Sequence, residues 1–504
     1  MPGQALIRSG LAIYSLACTL SLVLFFAYGT TNDTLNDDGI NYIYAAHALA
    51  EGLPEQAKTY RPEVLFYSQI TALSSLSGLD LYPSAQLLSL FWQILLATGF
   101  VAIVRCFDTS LQSQIIALAV FFSIANLNHL RPDIIRGFGF WALQLWAIWA
   151  GLNFLKHKAW RFVFLWLGFS AAAILYRSEG IVYFFLVPVF TLLNTVFTNG
   201  PTLKDALKIT GIIAMAGGAL YFVFVPESTS LQSISATDKL QREVNTFKLA
   251  ADNFKQLKDD IGAAMPNKWA QRSVNDLLIG GFIFHLLLTL IKATNAPLIA
   301  LSLYRNDIKR PICTEPRHKL LASYLLVGLI VGLFSVYNKY FVSPRYIMLT
   351  AILLCIPATF LLSRSYSRFT TSKQGRARLW KYALFALPVL ICLYPLSRQN
   401  DDKLYLREAG EWVKSNLNGE QNIYFNQQKV AFYASNYTND SFKAQYTSKE
   451  GLLHEGYQYA VLYERPDSSG QVPPIQGLRE HRVKAFTNSR GRSVNVYKLP
   501  APKR

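Results

Sequence analysis

The sequence predicts a mainly α-helical, polytopic membrane protein with about eleven transmembrane helices and a small C-terminal α/β soluble domain. Of its 504 residues, 52% are hydrophobic and 16% are charged, whereas soluble proteins have about 25% charged residues. Apolar runs near the length of about 20 residues that spans a bilayer recur up to residue 396. We therefore expect a transmembrane domain over 1–396 and an extracytoplasmic α/β domain over 397–504.

Eleven apolar runs are candidate membrane spans. The first could be read as a signal peptide, but it is longer than the usual apolar region of about 7–15 residues, which predicts an uncleaved span. The third is short and contains Asn126, which predicts a tilted or partial span. With the N-terminus inside, eleven spans leave the C-terminus outside. The approximate bounds are 11–28, 84–104, 111–126, 137–155, 160–176, 180–197, 209–225, 277–304, 319–337, 346–362 and 382–396.

The net charge of +18 follows the predicted topology. Loops predicted to be inside carry clusters of Lys and Arg, whereas the short loops predicted to be outside carry few, as the positive-inside rule requires. The basic excess is thus a topology signal, and we expect no nucleic-acid partner. The five cysteines have no metal-ligand spacing and indicate no disulfide framework.

Two long outer loops interrupt the spans, at 29–83 and 226–275. The first contains adjacent acids, Asp37 and Asp38, followed by apolar residues at helical spacing, which predicts a short helix. The second has apolar residues at helical spacing around 240–257. It is interpreted either as a solvated helical loop or as a mobile lid over a site.

The predicted C-terminal domain begins with an amphipathic helix, Leu404–Leu417. Five short segments then alternate or run apolar as strands do. Neither a nucleophile motif nor a glycine-rich phosphate loop is evident in this domain. The predicted strands are QNIYFN, KVAFYAS, YAVLYE, RVKAFT and SVNVYKL, at 421–426, 429–435, 459–464, 482–487 and 493–499.

Many charged residues fall at the outer ends of the predicted spans. Charges near hydrocarbon are costly, so each needs a partner, a water-filled cavity or a function. Some can pair locally, as Arg131 can with Asp133. As a set, they suit an anionic lipid-phosphate donor, because a carboxylate can deprotonate an acceptor hydroxyl and guanidinium groups bind phosphate. The set comprises Asp37, Asp38, Arg61, Arg131, Asp133, Arg136, Arg177, Glu179, Lys339 and Arg345.

The order of these features resembles the polytopic (GT-C) glycosyltransferases that use polyprenyl-phosphate sugars, such as aminoarabinose transferases and the family 39-like protein O-mannosyltransferases. The resemblance spans most of the chain. It covers the acidic pair before Tyr42, the step Arg61-Pro62, the segment RPDIIRGFGFWAL, the RSEG break, the late SPRY at Ser343–Tyr346 and the C-terminal domain. It implies a GT-C-like fold.

The resemblance also implies site residues. Asp38 or Asp37 would be the catalytic base, and Asp38 is favoured because it lies four residues before Tyr42. Arg61, Arg345 and Arg177 would bind the donor phosphate, and Asp133 would be the second acidic position. The chain departs from the family where Asp-Glu is usual and where relatives can have Lys in place of Arg61. Some relatives use a divalent metal ion, but no ligand set is evident, so the cofactor is left open.

The expected activity is transfer of a sugar from a polyprenyl-phosphate carrier to a lipid, glycan or protein acceptor, with inversion implied by the resemblance. We expect the protein in the lipid bilayer of a bacterial inner (plasma) membrane, with its active site facing the periplasm. Two alternatives stay open. A transporter or flippase would more often show repeated halves, and no convincing repeat is present. A polymerase or ligase of lipid-linked glycans has closely related chemistry.

Overall fold

A computed structural model describes the protein as a set of helices with one small sheet. The described residues are 2–31, 34–199, 236–294, 315–371, 386–393, 403–417, 422–435, 456–465 and 478–500, with the single positions 211, 299, 382 and 452.

Most helices of the described chain are apolar and lie before residue 372. They are α1 Pro2–Thr31, α2 Asp37–Ala50, α3 Pro54–Tyr60, α4 Val64–Ser77, α5 Leu81–Phe107, α6 Leu111–Phe122, α7 Ala125–His129, α8 Gly137–His157, α9 Trp160–Tyr176, α10 Glu179–Asn199, α11 Ala236–Ala264, α12 Lys268–Ala293, α13 Pro316–Lys339 and α14 Met348–Thr371. A 3-10 turn, Pro344–Tyr346, joins α13 to α14.

Six of these helices are long and apolar enough to cross a membrane. They include α5, α8, α12 and α13 in full, and residues Gly10–Gly29 of α1 and Met348–Ser367 of α14. Three shorter apolar helices lie at α6, α9 and the first part of α10. Together they coincide with nine of the predicted spans. The candidate span 209–225 lies almost wholly outside the described residues, whereas 382–396 is described at 382 and 386–393, where the chain is helical.

Both long loops that were predicted to be outside contain helices. The first folds into α2, α3 and α4, and α2 packs against the other two. In the second, α11 packs against α12 and α13, and Phe254 contacts the rings of Phe282 and Tyr337 at centroid distances of 6.0 and 5.1 Å. The helical spacing around 240–257 therefore predicted the local structure correctly, while a lid function for this loop stays a hypothesis.

The described part of the C-terminal region contains two α-helices, a short 3-10 turn and a four-stranded sheet. The α-helices and strands are α15 Leu404–Asn416, β1 Ile423–Phe425, α16 Gln428–Ser435, β2 Tyr459–Glu464, β3 Arg482–Thr487 and β4 Ser493–Lys498. The sheet order is β1-β2-β4-β3, with β1 parallel to β2 and the other pairs antiparallel. Side chains alternate across the sheet: Phe425 and Val461 face the core with α15, whereas Tyr424 and Leu462 face a second cluster.

The segment KVAFYAS was predicted as a strand, and this prediction was wrong because the segment lies in helix α16. Its three consecutive buried residues resemble a buried strand. Val430 and Ala431 pack into the core beside α15, while Phe432 contacts Tyr44 of α2. A short helix buried on two sides produces the same apolar run as a strand, so periodicity does not distinguish the two.

Contacts divide the chain into two compact units. Unit 1 comprises Met1–Ser21, Trp92–His129 and Gly137–Pro395. Unit 2 comprises Leu22–Phe91, Leu130–Arg136 and Leu396–Arg504, so the first outer loop and the C-terminal residues belong to one unit. The domain boundary predicted at residue 396 stays a prediction.

Candidate active site

The acidic pair Asp37 and Asp38 occupies the first turn of α2. Carboxylates are favourable there because the N-terminus of a helix carries partial positive charge. Asn36 precedes them and fixes the helix start by two hydrogen bonds to Ile134: its Nδ2 donates to the carbonyl oxygen at 3.2 Å, and its Oδ1 accepts from the backbone N–H at 3.0 Å. The side chain of Asp37 is 72% exposed and that of Asp38 is 28% exposed. Both carboxylates are therefore reachable from solvent.

Gly39 permits the close approach of this turn to residues 130–136. A Cβ at this position would lie 2.7 Å from Oδ1 of Asn36 and 3.0 Å from Cβ of Ile134. Glycine directly after the two aspartates thus allows the first turn of α2 to pack closely against Ile134.

Arg61 forms an ion pair with Asp38 through Nη2 and Oδ1. It directly follows α3, and its backbone N–H donates a hydrogen bond to the carbonyl oxygen of Ala57 in that helix. The guanidinium also lies over the ring of Tyr42, 4.9 Å from its centroid, a geometry in which a cation is attracted to the ring. The structure thus brings together Asp38 and Arg61, two of the site residues expected from the sequence, with the ring of Tyr42 beside them.

A second ion pair lies beside the first. Nη1 of Arg136 is 2.8 Å from Oε1 of Glu63. Burial raises the pKa of the Tyr42 hydroxyl, and the positive charges of Arg136 and Arg61 oppose this rise only in part. Tyr42 therefore stays protonated at neutral pH and is available as a hydrogen-bond donor.

Asp37 has a cationic partner from the C-terminal residues. Nζ of Lys429, on α16, lies 3.3 Å from Oδ1 of Asp37. Burial lowers the pKa of Lys429, although the charge of Asp37 opposes the shift and Asp133 also favours the charged amine. Asp133, the predicted second acidic position, is thus an electrostatic neighbour of Lys429 within unit 2.

Arg177 and Arg345 lie in unit 1, around the ring of Tyr346. The guanidinium carbons lie 5.0 and 5.4 Å from its centroid, and Nζ of Lys339 lies 4.6 Å from it. Glu179 accepts two hydrogen bonds from Arg177, at 3.2 and 2.6 Å. Three cations and one carboxylate give this cluster a net positive charge, which suits an anionic ligand.

The cations determine the acidity of Tyr346. Burial favours the neutral phenol, but the charges of Lys339, Arg345 and Arg177, together with a hydrogen bond from Arg345, lower the pKa of Tyr346 below its ordinary value. The pKa is lowered because the phenolate would gain three favourable interactions.

Lys429, Glu63 and Tyr346 were not among the site residues expected from the sequence. Glu63 follows Arg61-Pro62 directly, and Tyr346 ends the SPRY motif, so their positions beside expected residues were a usable signal. Lys429 had no such signal because it is far from Asp37 in sequence. Within the described ranges, no group of three or more His, Cys, Asp or Glu is arranged to hold a metal ion.

Two crystal structures of ArnT from Cupriavidus metallidurans are similar to this chain over nearly its whole length. The structure bound to undecaprenyl phosphate has a TM-score of 0.57 and 12% sequence identity, and the match covers 97% of this chain and 99% of that chain. For the apo structure the values are 0.56, 11%, 97% and 98%. No family model and no curated protein sequence matches. The chain has the fold of ArnT, which confirms the predicted polytopic, GT-C-like integral membrane fold.

Proposed function

We propose that the protein transfers a sugar from a polyprenyl-phosphate carrier to an acceptor hydroxyl on the extracytoplasmic face of the membrane, with inversion. The observation that carries this proposal is the ion pair between Asp38, in the first turn of α2, and Arg61, which follows α3. It occurs in a chain with the fold of ArnT. That an ArnT crystal structure contains undecaprenyl phosphate supports a polyprenyl-phosphate donor. The membrane is the bacterial inner membrane, and the site faces the periplasm.

Asp38 is the general base. Its carboxylate takes the proton of the acceptor hydroxyl as the oxygen attacks the anomeric carbon of the sugar. The bond from that carbon to the donor phosphate breaks, and polyprenyl phosphate leaves with the bonding electron pair. Because attack and departure occur on opposite faces, the anomeric configuration inverts. In the ligand-free protein, this carboxylate is paired with the guanidinium of Arg61.

Arg61 contacts the donor phosphate in this mechanism. Its Nη2 is bound to Asp38, whereas its buried Nε has no hydrogen-bond acceptor within the described chain. A guanidinium has five N–H donors in a planar fork, so one group can bridge a carboxylate and a phosphate. A phosphate bound at Arg61 weakens the ion pair between Arg61 and Asp38. At the same time, the guanidinium stabilises the negative charge that develops on the leaving phosphate.

The remaining assignments follow the family resemblance and the charge of each cluster. Arg177 and Arg345 are further contacts for the donor phosphate, since their cluster in unit 1 has a net positive charge. Asp133 is the second acidic position, and its charge acts on Lys429 in unit 2. Asp37 is the alternative base, but the lower exposure of Asp38 and its spacing from Tyr42 favour Asp38.

The proposal is tested by incubating the full-length protein in nanodiscs with polyprenyl-phosphate sugars and hydroxyl acceptors of the lipid, glycan and peptide classes. Expected products are free polyprenyl phosphate and a glycosylated acceptor whose anomeric configuration, read by NMR, is opposite to that of the donor. Donor movement across the bilayer without either product would instead establish a transporter. Extension of a lipid-linked glycan, without transfer of the sugar to an acceptor of another class, would establish a polymerase or ligase.

A further inference from the structure

The helix α16 packs directly on α2, within unit 2. Nε2 of Gln428 donates to Oδ1 of Asn41 at 2.5 Å, and the backbone N–H of Leu35 donates to the hydroxyl of Tyr433 at 2.8 Å. The ring of Phe432 meets that of Tyr44 edge to face, with centroids 6.0 Å apart. These polar and aromatic contacts join one face of α16 to α2 and to the residue two positions before it.

Lys429 is buried within this contact, whereas its partner is not. The lysine side chain is 8% exposed and the side chain of Asp37 is 72% exposed. The lysine therefore bears the cost of desolvation, and burial lowers its pKa despite the neighbouring carboxylate. A buried lysine with a largely solvated partner contributes little to stability, so its placement calls for another explanation.

The proposed donor is an anion, and two adjacent carboxylates would repel it. Arg61 neutralises Asp38, but without a second cation Asp37 would keep its full negative charge one residue away. The repulsion grows when the donor releases its phosphate monoester, which carries more negative charge than the donor diester. Like charges a few ångströms apart interact strongly at a partly desolvated site.

Resting on the proposed function, we infer that Lys429 is a positioning residue supplied by the C-terminal residues: it neutralises Asp37 so that an anionic polyprenyl phosphate can bind beside Asp38. The lysine acts through Asp37 and does not contact the phosphate itself. The catalytic helix α2 thus depends electrostatically on a segment almost 400 residues further along the chain, as the separation of 387 positions between Asn41 and Gln428 illustrates.

The inference is tested by titrating undecaprenyl phosphate into the full-length protein in nanodiscs of a neutral lipid. The variants are Lys429→Met, Asp37→Asn and the double variant that combines them. Methionine keeps the length and apolar stem of lysine but removes the charge. The matched control is Lys484→Met, an exposed lysine on β3. The apparent Tm of each variant is measured in parallel.

We expect Lys429→Met to weaken binding of undecaprenyl phosphate by about tenfold, with an apparent Tm no lower than that of the wild type. The double variant should regain wild-type affinity, because removing the charge of Asp37 removes the need for the lysine. Lys484→Met should bind as the wild type does. This pattern would distinguish charge compensation from a structural role, which would lower the apparent Tm.

Three results would overturn the inference. Lys429→Met could bind as tightly as the wild type. The double variant could remain weak, which would make Lys429 a direct ligand of the phosphate. In Lys429→Met, the affinity for undecaprenyl phosphate and the apparent Tm could fall together, which would make the lysine a structural residue. Failure of the wild type itself to bind undecaprenyl phosphate would overturn the proposed function and this inference with it, and the wild-type titration alone reveals that case.

Discussion

Three acid–base pairs surround the start of α2: Asp38 with Arg61, Glu63 with Arg136, and Asp37 with Lys429. Partly exposed ion pairs contribute little to stability, typically about 0–1 kcal/mol. Their concentration at one helix start is therefore better explained by binding of a charged ligand than by the needs of the fold.

The role of Arg61 at the donor phosphate is tested by comparing its replacement by methionine with its replacement by lysine. We expect Arg61→Met to raise the KM for the donor by about tenfold or more, because a hydrogen-bonded ion contact contributes about 1.5–3 kcal/mol. Arg61→Lys should stay within a few-fold of the wild type, since related transferases can have lysine at this position. Donor kinetics in nanodiscs measure both. An unchanged KM in Arg61→Met would remove Arg61 from the phosphate site.

The Tyr346 cluster predicts a pH-dependent stability difference. The pKa of the phenol is lowered in the folded protein, while in the unfolded chain it is about 10. Well below the lowered value the phenol is protonated in both states and its ionisation contributes nothing. As the pH rises through the lowered value towards 10, the folded state loses its proton first and is stabilised.

The apparent Tm of wild type relative to Tyr346→Phe should accordingly increase as the pH approaches 10. Thermal melts in detergent at a series of pH values measure this difference, and titration of the other tyrosines is common to both proteins. A difference that is constant or shrinks with pH would contradict the cation cluster around Tyr346.

At the scale of elements, the described spans followed directly from the sequence because hydrophobic length is a strong local signal. The nature of α16 did not. Its apolar run is short, and what decides its conformation is packing between α15 and α2, which no local pattern encodes. The charged residues near the ends of the predicted spans are visible as a set in the sequence, whereas the pairing of Asp37 with Lys429 depends on the tertiary fold.

Gly410 tests the packing that holds α16. A Cβ at this position in α15 would lie 2.5 Å from Cβ of Tyr433 and 2.7 Å from the carbonyl oxygen of Val430. Gly410→Ala must push α16 away from α15, and overpacking of this kind costs about 1–3 kcal/mol. We expect a lower apparent Tm together with weaker binding of undecaprenyl phosphate.

The matched control is Gly262→Ala in α11, where the added Cβ would meet no atom within 4 Å. Alanine is favoured over glycine in a helix by about 0.5–1 kcal/mol, so the control should keep or raise the apparent Tm. Wild-type behaviour of Gly410→Ala would mean that α15 and α16 do not pack this closely.

At the scale of the whole molecule, contact between α2 and α16 requires the first outer loop and the C-terminal residues to lie on one side of the membrane. The predicted topology meets this requirement, because ten of the eleven predicted spans separate the two segments, and an even number returns the chain to the same side. The positive-inside rule supports that side being extracytoplasmic. The sequence could predict this parity but not the contact itself.

The central claim is that Asp38 is the base of a sugar transfer from a polyprenyl-phosphate donor. The most direct test is to measure release of polyprenyl phosphate by Asp38→Asn beside wild type, Asp37→Asn and the exposed control Asp80→Asn. Loss of a general base typically costs about 10²–10⁴ in rate. We expect that loss in Asp38→Asn with binding of undecaprenyl phosphate retained, a smaller loss in Asp37→Asn, and wild-type release in Asp80→Asn. Wild-type release by Asp38→Asn, or the larger loss in Asp37→Asn, would contradict the assignment.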